Sequence, residues 1–375
     1  MPLSRRTLLT GLTATAAALP LLSCSPATAL GDRTEADLST ADGWLTWIAQ
    51  HRDRLALVLT DTTGPLLAHR AGSPQPLASA VKAAHLAAYA TAVADGRLDP
   101  AEQVRVGDWE RYYVPTDGGA HVAALQELGI PTDDTGAWAA DPDRHVTLEQ
   151  LATAMIGHSD SAVPDLLRDR LGTEAVRAAA LAGGWPDADV RSLCAEYLFL
   201  LLPAEAPAPG TPLPRRREIG FALERRHRDE QALRDQVRTR LLAQALPDWN
   251  TQLAWATGTA ASDPAQLAAL HRSLAEGTYP SPRAAEIARG ILERRAAGNL
   301  PDGVLGLGYK GGSLPGVLTA GISLRLADGR IAAGSLLAHG GISAEQLATG
   351  DPGQPLIKAV LDPAWRDRLR AALRG

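Results

Sequence analysis

The chain carries 37 basic residues, and only Lys82, Lys310 and Lys358 among them are lysines. A guanidinium keeps its proton in a protein, whereas an ε-ammonium can be desolvated and tuned into a base. Two of the three lysines sit where that distinction has a chemical use. Lys82 closes Ser79-Ala80-Val81-Lys82, and Lys310 opens Lys310-Gly311-Gly312-Ser313. A helix over Ala78 to Ala94 places Ser79 and Lys82 on one face, three residues apart. A neutral Lys82 amine can there take the Ser79 hydroxyl proton and leave the oxygen a nucleophile. The helix N-terminus favours the negative charge that develops. Lys358 lies in a C-terminal helix with no chemistry around it.

Ser159-Asp160-Ser161 falls in a break between two helices, where hydroxyls can project into a cleft. Ser159 there can relay a proton between Lys82 and a leaving group. The same residues also read as a cap on the following helix. Around Lys310 the glycines, including Gly312, let a substrate backbone approach a strand edge closely. Lys310 offers positive charge to a substrate carboxylate, although a glycine-rich turn with a surface lysine has the same pattern. The nine histidines form no His-x-His or His-Glu-x-x-His grouping, so no metal site is indicated, and nothing calls for a cofactor.

These residues need elements to hold them. An amphipathic helix is expected over 41–51, a buried strand over Leu55 to Leu59, a turn at Asp61 to Gly64 and a return strand from Pro65 to Arg70. Thr147-Leu148-Glu149-Gln150 is a capping-box signature for a helix through Ile156, and another helix runs from about Ala162 to Leu171. Residues 203–214 read as a Pro/Ala-rich loop. The stretch 215–240, with nine Arg and five Asp or Glu, reads as a solvated helix face. Helices follow over 265–275 and 283–296. Strands come next at Ile322 to Leu326 and Ile331 to Ala338, and a last helix covers about 363–373. Strands at both ends and helices between predict an α+β, three-layer fold: an antiparallel sheet flanked by helices, plus an inserted all-helical lobe. The α/β lobe takes about 41–75 and 255–375, and the helical lobe about 76–254.

Ser79-x-x-Lys82, Ser159-Asp160-Ser161 and Lys310-Gly311-Gly312, in this order, resemble the signature of the penicillin-recognising serine hydrolases, the class A β-lactamases and D,D-peptidases. The resemblance spans roughly residues 40–375. It implies that Ser79 is acylated, Lys82 is its general base, Ser159 shuttles a proton and Lys310 binds the substrate carboxylate. It further implies an oxyanion hole from the backbone N–H groups of Ser79 and Ser313, with Ser161 and Gly312 against the substrate. The Arg111-Tyr112-Tyr113-Val114-Pro115 loop is a candidate cleft wall, although paired tyrosines are more often simply packed.

The departures bear on substrate contacts and, above all, on the second half of the reaction. Ser161 stands where the family has Asn, and Gly311 where it has Thr. A class A β-lactamase uses a Glu, helped by an Asn four residues on, to activate the hydrolytic water. Glu196 follows Arg191 at a suitable distance from Ser159, but position 200 is Leu and the residues around it read as buried. Asp248 is a weaker alternative. Three readings therefore stay open: a β-lactam hydrolase, a D,D-peptidase-like acyl-serine hydrolase that releases its acyl group slowly, and a non-catalytic lipoprotein binding a ligand in the same cleft. A Tyr-x-Asn second element and a Gly-x-Ser-x-Gly elbow are both absent from the sequence.

Composition sets the setting. Ser4-Arg5-Arg6-Thr7-Leu8-Leu9 resembles a twin-arginine leader, and Leu21-Leu22-Ser23-Cys24 resembles a lipoprotein cleavage box. Residues 1–23 are thus an expected signal peptide, 24–40 a tether, and 41–375 the catalytic domain. The protein is expected at the outer face of the membrane through a lipid on Cys24, or secreted. Loss of Arg5 and Arg6 takes the net charge from −5 to −7, which argues against nucleic acid or anionic lipid as partner. The expected partner is a small-molecule or peptidoglycan-derived substrate, and the protein a monomer. Cys194, the remaining thiol, reads as a small core residue and leaves no internal disulfide.

Overall fold

The computed structural model describes residues 35–243 and 246–374. The leader and the Cys24 lipidation site expected from the sequence lie outside them. Five antiparallel strands form the main sheet: β1 (Leu55–Asp61), β2 (Gly64–His69), β3 (Val304–Leu314), β4 (Val317–Leu326) and β5 (Ile331–His339). Their spatial order is β2-β1-β5-β4-β3. The β1–β2 turn forms because Asp61 Oδ1 accepts the Thr63 N–H at 2.8 Å, tying a side chain to its own turn. β1 pairs with β5, Leu55 opposite Ala338, so the two ends of the chain share one sheet.

The faces of the sheet differ in side-chain size. Leu318, Ile322, Leu324 and Leu336 pack with Trp44, Leu356, Trp365 and Leu369 from the helices Ala41–Gln50, Gln354–Leu361 and Pro363–Arg374. The opposite face of β4 and β5 carries small residues. Ser335 Oγ donates to the Pro264 carbonyl at 2.6 Å, and a Cβ at Gly321 would fall 2.4 Å from His271 Nε2. Helix Pro264–Glu276 can therefore lie close against that face. Helix, sheet, helix is the three-layer α+β arrangement, with every residue of β4 buried except Arg325.

Between the sheet segments lies a helical region around Lys82–Ala94, a helix buried continuously from Lys82 to Ala90. A helix apolar on all sides belongs inside, and its alanines let the surrounding helices Leu148–Gly157, Val163–Leu171 and Pro282–Leu292 approach it. The Thr147 capping box forms as the sequence indicates, with Gln150 bonding back to the Thr147 N–H. Tyr112 and Tyr113 are buried in this core rather than forming an open wall.

A third, smaller core joins helix Leu193–Leu201 to a helical hairpin, Leu213–Asp229 and Gln231–Leu242. Cys194, Leu198 and Phe199 meet Leu223, Leu233 and Val237 there. The reading of 215–240 as a solvated face needs correction. Arg215 is exposed, but Arg216, Arg217 and Glu224 turn inward to charged partners. The hairpin has few apolar residues, so ion pairs make up much of its inner surface.

Candidate active site

Ser79 lies in a short 3-10 turn, Ala78–Val81, that precedes the α-helix proper. The approach is strained: Ala78 has φ +47°, a left-handed conformation that costs an alanine about 1–2 kcal/mol. Two hydrogen bonds hold it. Leu77 N–H donates to the Ala260 carbonyl at 2.9 Å, and Thr319 Oγ1 on β4 donates to the Leu77 carbonyl at 2.8 Å. Gly312 on β3 closes over the same turn, where a Cβ would come 2.5 Å from the Ser79 amide nitrogen. Only glycine lets the strand edge approach the nucleophile this closely.

Lys82 is fully buried and surrounded by oxygen. Its Nζ lies 2.8 Å from Ser79 Oγ, 2.5 Å from the Ser159 carbonyl, 3.3 Å from Ser159 Oγ and 3.0 Å from Ser161 Oγ. Four oxygens compete for the three protons of an ammonium. A neutral amine instead turns a lone pair to one of them, and Ser79 is a hydroxyl able to donate. Burial lowers the Lys82 pKa to about 8, against the attraction of Asp160, Asp117 and Asp165. At pH 7 roughly one Lys82 in ten is then neutral, against roughly one in three thousand for an ordinary lysine.

Ser159 also sits in the left-handed region, at φ +71°, which brings its carbonyl and hydroxyl to the same lysine. From the other side Lys310 Nζ donates to Ser159 Oγ at 2.9 Å and to the Gly311 carbonyl at 2.6 Å. Lys310 is buried as well, and burial, aided by the charge of Lys82, holds its pKa well below the usual lysine range. It is therefore not the surface lysine that a glycine-rich turn alone would carry, and an arriving anion would stabilise its charge. The missing Thr side chain at Gly311 has a local cause: a Cβ there would lie 2.7 Å from the Tyr309 hydroxyl. Tyr309 in turn bonds Asp351 at 3.1 Å.

Asp160 both caps the following helix and anchors a charged cluster. Its Oδ1 accepts the N–H groups of Ala162 and Val163 at 2.9 and 2.8 Å, and the Trp109 indole N–H at 3.1 Å. Its Oδ2 lies 2.7 Å from His121 Nδ1, and His121 Nε2 lies 3.2 Å from Glu110. Burial disfavours a charged His121, but the hydrogen bonds to Asp160 and Glu110 outweigh it and raise its pKa to about 9. Asp160 moves the opposite way, below the usual carboxylate range, as burial is overcome by His121. The pair is ionised and fixes the Ser159–Ser161 turn. Nearby Asp117 accepts the His121 N–H at 3.1 Å through Oδ2, while its buried Oδ1 has no partner. Burial and the charge of Asp160 raise its pKa to about 6.

Glu196 and Tyr197 share with Ser79 a cavity of about 40 Å³, also lined by Arg191, Ser192 and Trp255. The Tyr197 ring packs against Trp255 with centroids 5.6 Å apart. Glu196 is not a free carboxylate: Arg191 donates to Oε1 at 3.2 Å, and Arg216 donates to Oε1 at 3.1 Å and to Oε2 at 2.5 Å. Asp248, the weaker alternative, caps its own helix through Thr251. Among the described residues no group of three or more His, Cys, Asp or Glu could hold a metal ion.

The sequence matches the profile of the β-lactamase enzyme family over residues 45–349. The chain belongs to that family. No curated protein matches it. Among solved structures, a β-lactamase from Sphaerobacter thermophilus shares 16% identity at a TM-score of 0.54, covering 84% of this chain and 95% of that one. An acyl-enzyme complex of a PBP-A variant with penicillin G shares 16% identity at 0.52, covering 86% and 97%. A class A β-lactamase representing the last common ancestor of Gram-negative bacteria shares 18% identity at 0.52, covering 86% and 99%. At these identities the likeness is one of fold. Family membership makes the chain a serine β-lactamase-like hydrolase.

Within this family frame the structure gathers Ser79, Lys82, Ser159, Ser161 and Lys310 around one point, with Gly312 and Ser313 on the facing strand edge. The sequence reading missed Asp117, His121, Tyr197 and Arg216. Only Tyr197 carried a signal, its place next to Glu196. The others reach the site across 20 or more residues, with no local motif.

Proposed function

We propose that the chain is an exported acyl-serine hydrolase that attacks β-lactam or related amide carbonyls through Ser79 and hydrolyses the resulting ester slowly. The observation that carries this is the 2.8 Å contact between Ser79 Oγ and a buried Lys82 whose pKa lies near 8. Neutral Lys82 takes the hydroxyl proton as Ser79 Oγ bonds to the carbonyl carbon. Negative charge moves to the carbonyl oxygen, facing the N–H groups of Ser79 and Ser313. The C–N bond then breaks, and the proton returns to the leaving nitrogen through Ser159, which touches both lysines. Lys310, whose Nζ lies beside Ser159 Oγ, receives the substrate carboxylate. Export rests on the Arg5-Arg6 leader, and attachment to the membrane on Cys24. The slow second half is favoured by the engagement of Glu196 with Arg191 and Arg216.

Intact-protein mass spectrometry after exposure to penicillin G tests the reading. A covalent adduct is expected on the wild type and none on Ser79→Ala. Absence of adduct with penicillin G and a chromogenic cephalosporin alike overturns the assignment.

A further inference from the structure

The hairpin Leu213–Leu242 puts a guanidinium on Glu196, which lines the same cavity as Ser79. A carboxylate has about four lone-pair positions. Arg191 and Arg216 occupy three of them on Glu196, leaving little capacity to accept a proton from water. Arg191 belongs to the same segment as Glu196 and is also held by Asp189 and the Gly258 carbonyl. Arg216 comes from elsewhere. Its helix is fixed by Arg217 to Asp189 at 2.7 Å, by a short buried pair between Arg168 and Glu224, and by Leu223 in the small core. Its guanidinium also lies 5.4 Å over the Phe199 ring. Docking the hairpin and engaging Glu196 are thus one event.

We propose that Arg216 is a positioning residue that restrains Glu196, so that the hairpin 213–242 sets how long the Ser79 acyl-enzyme lives. This rests on the acyl-serine reading above. When Glu196 is released, water can bond to the acyl carbon as its proton passes to the Glu196 carboxylate. The ester C–O bond then breaks, and the proton returns to Ser79 Oγ. No other reactant is needed.

The test measures formation and loss of the penicillin G adduct separately, by rapid-quench mass spectrometry on the full chain. Arg216→Ala should form the adduct within about twofold of the wild-type rate and lose it at least tenfold faster. Arg216→Ala combined with Glu196→Gln should return loss to the slow wild-type rate, whereas Arg216→Lys should fall between. Circular dichroism and thermal unfolding identify any variant that fails to fold, and Arg216→Gln, which keeps the side-chain stem, then replaces the alanine. If the adduct forms but Arg216→Ala and Arg216→Gln lose it no faster, the restraint is wrong while the acyl-enzyme stands. A tenfold slowing by Glu196→Gln alone would also overturn it, since Glu196 would then be working while engaged. Failure of wild type to form any adduct removes the acyl-serine reading and the restraint with it.

Discussion

The two halves of the active site are built from the same kinds of residue and wired oppositely. Around Ser79 a cation, Lys82, is held by neutral hydroxyls and a carbonyl, with carboxylates acting only through the second layer. Around Glu196 an anion is held directly by two guanidiniums. A lysine kept among neutral oxygens can lose its proton, because burial disfavours the charge and no direct anion restores it. A carboxylate bonded to arginines has most of its lone pairs taken by donors that cannot give up their protons. The first arrangement is poised for proton transfer and the second is fixed. On the proposed acyl-serine reading, a site made this way acylates faster than it hydrolyses.

The comparison breaks most sharply at Lys82. Lys82→Arg preserves positive charge but removes the base, and adduct formation with penicillin G should fall by about three orders of magnitude. An arginine variant that still acylates at near wild-type rate would mean that Lys82 serves only as a cation. The next effect is on the hairpin side. Arg168→Met strands Glu224 and Asp165 in the interior, and breaking such a buried pair should lower stability by about 3 kcal/mol in urea denaturation. A change below about 1 kcal/mol would mean that the ion pairs do not hold the hairpin in place. The smallest effect concerns pH. With the Lys82 pKa near 8, acylation should rise about tenfold from pH 6 to pH 7, continue upward toward pH 8, and level off above it. The sign for stability agrees: a lowered lysine pKa opposes folding below about pH 8, and that penalty recedes as pH climbs from 8 toward 10.5. A flat rate profile between pH 6 and 8 would count against Lys82 as the base.

What the sequence made legible follows the same division. Lys82 and Lys310 stood out because arginine is used almost everywhere else, and their partners lie in short motifs. The strand pattern of Ile322 to Leu326 and the Thr147 capping box were likewise local signals. The turn at Ser79 differs from the uniform helix expected, because Gly312 and Thr319 on the sheet shape it from outside. Arg216 could not be read at all. Nine arginines in 26 residues look like a solvated surface until a distant Glu196 selects one of them. His121 was silent for the same reason, since its partner Asp160 lies 39 residues on, and Asp117 bonds only to the backbone of His121.

The pairing of β1 with β5 has a further consequence, for the order in which the chain folds. Leu55 and Ala338 come together only by closing a loop of roughly 280 residues, at a cost of about 5 kcal/mol by the logarithmic scaling of loop closure. The helical region between them has its own core, and its prior collapse shortens that loop. During synthesis the apolar strand Leu55-Ala56-Leu57-Val58-Leu59 therefore emerges early and waits, one edge unpaired, until residue 339 has left the ribosome. For most of that time its second edge is open to non-native pairing, while β2 covers the first.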